Sequence, residues 1–224
     1  MNFLSHFYHE YPVSDAYFAA GVILPDILSN YSHRTGVVVK LHPQKLKLTD
    51  QSQLNALTAG VIQHHRVDGF FHESTFFEEN TAAITARLLL DDFSCFNKRL
   101  YAISHVLLEL LLDRKILIEN RNCCDEMYTL LESVEPGAIS ALVALNTENG
   151  QAAGVGNHFK VFTEHKFVYD YKEDARLVGI MNGINTRLGN PAMSTSDKHH
   201  FKNAIHDLEK TILSQKFPKF PTDS

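Results

Sequence analysis

Apolar positions recur along this chain at the 3.6-residue period of a helix, and two-residue strand alternation is scarce. Ser14 is placed to cap a helix whose apolar positions run through Tyr17, Phe18, Gly21, Val22 and Leu24. Pro25 is expected to break or kink that helix, which leaves Asp26 immediately after the break. A second helix is predicted over 52–72 and a third over 76–91. Residues 98–118 are apolar nearly all round, the mark of a helix at the centre of a bundle. Pro136 and Gly137 separate a helix near 123–133 from another near 138–146. Leu177, Ile180, Met181, Ile184 and Leu188 repeat at helical spacing. Ser194 or Ser196 caps a last helix with Phe201, Ala204, Ile205, Leu208 and Ile212 facing inward. The segment 147–157, TENGQAAGVGN, reads as a surface loop. These patterns predict an all-α fold: one domain over residues 1–224, a single helical bundle of seven to nine helices.

Composition narrows the class. The chain has 224 residues, 44% hydrophobic and 21% charged, which is ordinary for a globular protein. A net charge of −5 argues against a general nucleic-acid binder. Charge is uneven, however: residues 33–47 carry His33, Arg34, Lys40, His42, Lys45 and Lys47 with no acid. This stretch is either a solvated loop or a patch that meets an anionic partner. The start MNFLSHFYHE lacks the basic and long apolar regions of a signal peptide, and no apolar run reaches membrane-spanning length. Cys95, Cys123 and Cys124 make an odd number without zinc-type spacing. The expectation is a soluble, cytoplasmic protein with reduced thiols.

Four places put polar groups on apolar faces. Leu57, Val61, His64 and Asp68 share one helical stripe, and His72 continues it. His6 is embedded in NFLSHF, Asp26 follows GVILP, and His105 lies inside the greasiest helix, with Glu109 and Asp113 at successive four-residue steps. Burying imidazole and carboxylate is costly unless a hydrogen-bond partner or a metal satisfies them. Singly, His6 or His105 reads more readily as a hydrogen-bonded core histidine than as a ligand, and Glu109 and Asp113 as partners of an arginine or lysine. Together, four contributions of mixed nitrogen and oxygen donors suit manganese, iron or zinc. No glycine-rich phosphate loop or nucleophile elbow is present.

The opening MNFLSH, GVILPD near 26, GVIQHHRVD at 60–68 and SHVLLEL at 104–110 resemble the acyl carrier protein phosphodiesterase family. So do FVYDYKEDARLVGIMNGINTRLG and LEKTILSQKFPKFP towards the end of the chain. The resemblance implies an α-helical fold distantly similar to HD-domain phosphohydrolases. It implies a divalent metal, typically manganese, and removal of 4′-phosphopantetheine from the serine of holo acyl carrier protein. On this resemblance His6, Asp26, His64, Asp68 and His105 match the positions of the metal centre, and Arg66 the arginine of the His-x-Arg-x-Asp run. The chain has Ser104-His105 where the family has Asp-His, and His72 where it has an aspartate. Both changes remove acid near the cation, which weakens a hard-metal site or, through the added imidazole of His72, shifts it towards zinc or iron.

The implied mechanism has Asp26, His64, Asp68 and His105 as ligands, with His6 a further ligand or the proton donor to the departing serine. Arg66, or a lysine from 40–47, neutralises phosphate charge, and the acidic carrier protein docks on the 33–47 stretch. Two alternatives stand beside it. One is a metal-dependent phosphohydrolase for a different phosphodiester; the other is a non-catalytic helical binding protein that has lost the metal.

Overall fold

A computed structural model describes residues 1–147, 154–212 and 214–218. Among the described residues there are ten α-helices, two short 3-10 segments and no strand, so the protein is all-helical. The helices are α1 (Phe3–Glu10), α2 (Ala16–Thr35), α3 (Ser52–His72), α4 (Thr75–Leu89), α5 (Leu100–Glu119) and α6 (Arg121–Glu132). They continue with α7 (Pro136–Asn146), α8 (Val155–His165), α9 (Asp174–Arg187) and α10 (Thr195–Ile212). Residues 148–153, the middle of the expected loop, lie outside the described residues, as do 213 and 219–221 of the tail resemblance.

Several expectations are corrected. The helix count exceeds nine because α1 and α8 were not anticipated. In α1 the ends of Asn2 and Ser5 cap one another: the Asn2 N–H donates to Ser5 Oγ and the Ser5 hydroxyl donates to the Asn2 carbonyl, both at 3.0 Å. The helix then buries Phe3, Leu4 and Phe7. Helix α8 starts inside the expected loop, directly after Gly154, and buries Val155, Phe159 and Phe162. Asp15, not Ser14, caps α2, its carboxylate accepting from the N–H groups of Tyr17 and Phe18. Most consequentially, Pro25 does not end α2, which continues to Thr35. A proline in a helix interior forfeits one hydrogen bond. Burial of Ile23, Leu24, Ile27 and Leu28 on both sides of it holds the helix together.

The chain divides into two compact units. The first comprises Met1, Phe70–Glu119 and Val168–Phe220. In it α5 packs on α4 and α9, and α10 packs on the same two helices, so four helices close a ring. Helix α5 buries Leu107, Leu108, Leu110, Leu111 and Leu112, as its nearly all-round apolarity requires. It also buries the Arg114 side chain, whose guanidinium meets Asp174 at 2.8 Å and Glu209 at 2.7 Å.

The second unit comprises Asn2–Gly69 and Asn120–Phe167. Helix α2 packs there against α1, α6 and α8, and α8 packs in turn on α6 and α7. Among the described residues no helix is long and apolar enough to cross a membrane. Cys95, Cys123 and Cys124 are buried and outside any disulfide.

Candidate metal centre

Helices α1, α2 and α3 each bring one donor to a common point in the second unit. His6 and His64 are only 1% and 5% exposed. One ligand atom from each of His6, Asp26 and His64 lies within 4.8 Å of the others. The two imidazoles stack with ring centroids 3.8 Å apart. Asp68, one turn beyond His64 on α3, adds a second carboxylate, its Oδ1 3.5 Å from His6 Nε2.

Two local features explain the arrangement. Gly21 and Gly60 let α2 and α3 touch backbone to backbone. A Cβ on Gly60 would lie 2.2 Å from the Phe18 carbonyl oxygen, and one on Gly21 would lie 2.2 Å from the Leu57 carbonyl oxygen. At that separation Val22, which follows Gly21, and His64, one turn beyond Gly60, come within reach of each other. The His64 Nδ1 lies 2.7 Å from the Val22 carbonyl oxygen. A carbonyl only accepts, so Nδ1 carries the proton and the Nε2 lone pair is left for a ligand. This is the backbone support that metal-binding imidazoles commonly have. Burial, followed by the neighbouring His6, holds His64 well below the ordinary imidazole range, with Asp68 pulling the other way. The ring is therefore neutral near pH 7, the form that coordinates a metal.

A second convergence lies in the first unit. His105 and Glu109 stand four residues apart on α5, and His72 ends α3. The two histidine Nε2 atoms are 3.0 Å apart. Glu109 Oε1 is 2.9 Å from His105 Nε2 and 3.5 Å from His72 Nε2. Phe77 meets both imidazoles edge-on, at 4.8 and 4.9 Å between centroids. The Met1 ammonium lies 3.1 Å from the same carboxylate oxygen. Burial pushes Glu109 up, but the Met1 ammonium and hydrogen bonds from His105 and His72 outweigh it and hold the carboxyl far below its usual range.

Of the residues singled out in the sequence, His6, Asp26 and His64 converge, and Asp68 stands beside His6. His105 instead keeps company with His72 and Glu109. Asp26 reaches its group from within the continuous α2, not from a break after Pro25. Arg66 is half-buried on α3, about 200° round the helix from both His64 and Asp68. Ser104 is fully buried, and its hydroxyl is paired with that of Thr85 on α4 at 2.8 Å. Glu109 was expected to meet an arginine or lysine; its side-chain partners are two histidines. The signal for that was its four-residue step from His105, but the cross-helix partner His72 had no local signature. Lys40, Lys45 and Lys47 are exposed. Comparisons with models of protein families, with characterised proteins and with solved structures find no match.

Proposed function

We propose that this chain is a metal-dependent phosphodiesterase on a helical scaffold of the HD-domain kind. Its divalent ion, manganese or else iron or zinc, is held by His6, Asp26 and His64 with Asp68 beside them. The observation that carries this reading is the His64–Val22 hydrogen bond, which presents a neutral imidazole lone pair to a buried set holding a second imidazole and a carboxylate. Two carboxylates and two imidazoles are a mixed donor set suited to a first-row dication. When bound, such an ion polarises a phosphoryl oxygen and makes water acidic enough to supply hydroxide near neutral pH.

The chain's own groups do the rest. His6, stacked on His64, is read as a ligand and not as the proton donor. Asp68, partly exposed, balances positive charge at the edge of the set. The exposed Lys40, Lys45 and Lys47 sit in an acid-free stretch suited to an acidic macromolecular partner. With the sequence resemblance, this favours holo acyl carrier protein as the substrate and hydrolysis of its 4′-phosphopantetheine ester as the reaction.

The test incubates manganese-loaded protein with holo acyl carrier protein and, separately, with a small aryl phosphodiester. Release of 4′-phosphopantetheine, lost in His64→Ala and Asp26→Asn, is the expected result. Hydrolysis of the small diester alone moves the assignment to another phosphodiester substrate. No hydrolysis of either, with no manganese bound, leaves a non-catalytic helical protein and overturns the proposal.

A further inference from the structure

We propose that His72, His105 and Glu109 form a second transition-metal site, separate from the His6–Asp26–His64 group and independent of the function read from it. The site takes zinc or ferrous iron and keeps an exchangeable position towards a cleft in the same unit.

The first support is geometric. Ligands about 2.0–2.1 Å from one ion lie roughly 2.9–3.4 Å from each other, from octahedral to tetrahedral angles. The three donor atoms here are 2.9, 3.0 and 3.5 Å apart. Two of these separations fall within that range, and the 3.5 Å between Glu109 and His72 needs only a small side-chain movement to join them. Protons alone serve this triangle less well. Each ring nitrogen carries at most one and the ionised carboxylate none, so two protons at most serve three close contacts. One cation at the centre satisfies all three donors together.

The second support is the donor set. Two imidazoles and one carboxylate on one face are the arrangement that leaves coordination positions open on non-haem iron and catalytic zinc. Glu109 already attracts a cation, the Met1 ammonium at 3.1 Å. An incoming ion competes with that ammonium, which lowers its affinity relative to a carboxylate with no cation beside it.

The third support is access. His72 and His105 are about 30% exposed, at 32% and 29% for their side chains. His72 also lines a cleft of about 650 Å³, together with Phe77, Leu89 and Tyr101. Glu73 and Glu78 border the same cleft. An apolar wall with acidic residues suits a neutral or cationic apolar small molecule and repels phosphate. The two groups therefore differ in the ligands they admit.

The experiment titrates zinc into metal-free protein by calorimetry, with metal content measured after gel filtration and helicity checked by circular dichroism. Wild type is expected to take two equivalents, His64→Ala one, and His64→Ala combined with Glu109→Gln none. Glu109→Gln alone should retain one equivalent, and the loss in affinity at the altered site should exceed the roughly 10–100-fold typical of removing a supporting hydrogen bond. His72→Ala, at a half-buried helix end, gives a second reading should Glu109→Gln lose helicity. Zinc stoichiometry unchanged by both Glu109→Gln and His72→Ala in folded protein overturns the proposal. Loss confined to the His64 variants overturns it too, while leaving the phosphodiesterase reading in place.

Discussion

At the scale of single residues, the function of a polar group here is set by what supports it from behind. His64 is a ligand candidate because the Val22 carbonyl fixes its tautomer, and Ser104 is not one because its hydroxyl oxygen accepts from Thr85 on α4. Ser104 follows the sequence argument only as far as burial. Helical geometry allows an acid there to swing towards His105, yet the serine is turned to α4. Ser104→Asp therefore puts a carboxylate among apolar neighbours with one hydroxyl to meet it. Stranding a buried polar group costs roughly 1–3 kcal/mol, and more for a charge. The expected outcome is a lower melting temperature with no gain in manganese affinity. Tighter manganese binding, measured by calorimetry on the same sample, is the result that sinks this placement of Ser104.

Among the helices, the crossing of α2 and α3 positions the candidate centre, and two glycines make that crossing. Gly60→Ala sets a methyl 2.2 Å from the Phe18 carbonyl oxygen and 2.7 Å from the Val22 nitrogen. Both neighbours are backbone, so the helices must part. Overpacking of this kind costs roughly 1–3 kcal/mol, and it pulls His64 from its carbonyl. Gly69→Ala on the same helix is the control: nothing lies within 4 Å of its added methyl. There the exchange should stabilise by roughly 0.5–1 kcal/mol, because glycine is a poor residue for a helix interior. Melting curves showing the two alanines with equal effects would falsify the close-crossing account. The bounds of α3 were legible because Leu57, Val61 and His64 lie on one stripe, and all three are buried. The eight-residue α1 is too short to show a period, and α8 was hidden by the glycines before it. Pro25 misled because a local rule about hydrogen bonds met a helix held by side-chain burial on both sides. The candidate site was half legible. Imidazole and carboxylate on apolar faces flagged His6, Asp26, His64 and His105. Which of them meet depends on helix crossings that no local pattern encodes, so the pairing of His105 with His72 and Glu109 was not visible.

For the whole molecule, the decisive variable is pH, since 26 acidic residues face 21 lysines and arginines and 13 histidines. Acid neutralises the first group and leaves the others positive, so self-repulsion grows across the entire chain as pH falls. Within that general loss one carboxylate has a specific share. Asp174 meets Arg114 at 2.8 Å, His206 at 2.9 Å and Lys202 at 3.2 Å. Burial raises its pKa, but the hydrogen bonds from Arg114, His206 and Lys202 outweigh that and bring it down to about 2. A folded pKa below the unfolded value of about 3.9 means that stability is present above that value and is lost as pH falls towards 2. Glu209, on the other side of Arg114, acts in the opposite sense. Its burial raises its pKa despite the arginine, so protonating it relieves a cost as pH falls. Asp174→Asn should therefore be less stable than wild type at pH 7 and should lose less between pH about 4 and 2. Urea melts of both proteins across that range make the comparison, and the shared self-repulsion cancels between them. The difference should shrink in high salt, since the Asp174 partners Lys202 and His206 are half exposed. Parallel stability curves from pH 7 to 2 would mean that the Arg114–Asp174 cluster carries no acid-sensitive stability. The acid limb would then belong to net charge alone.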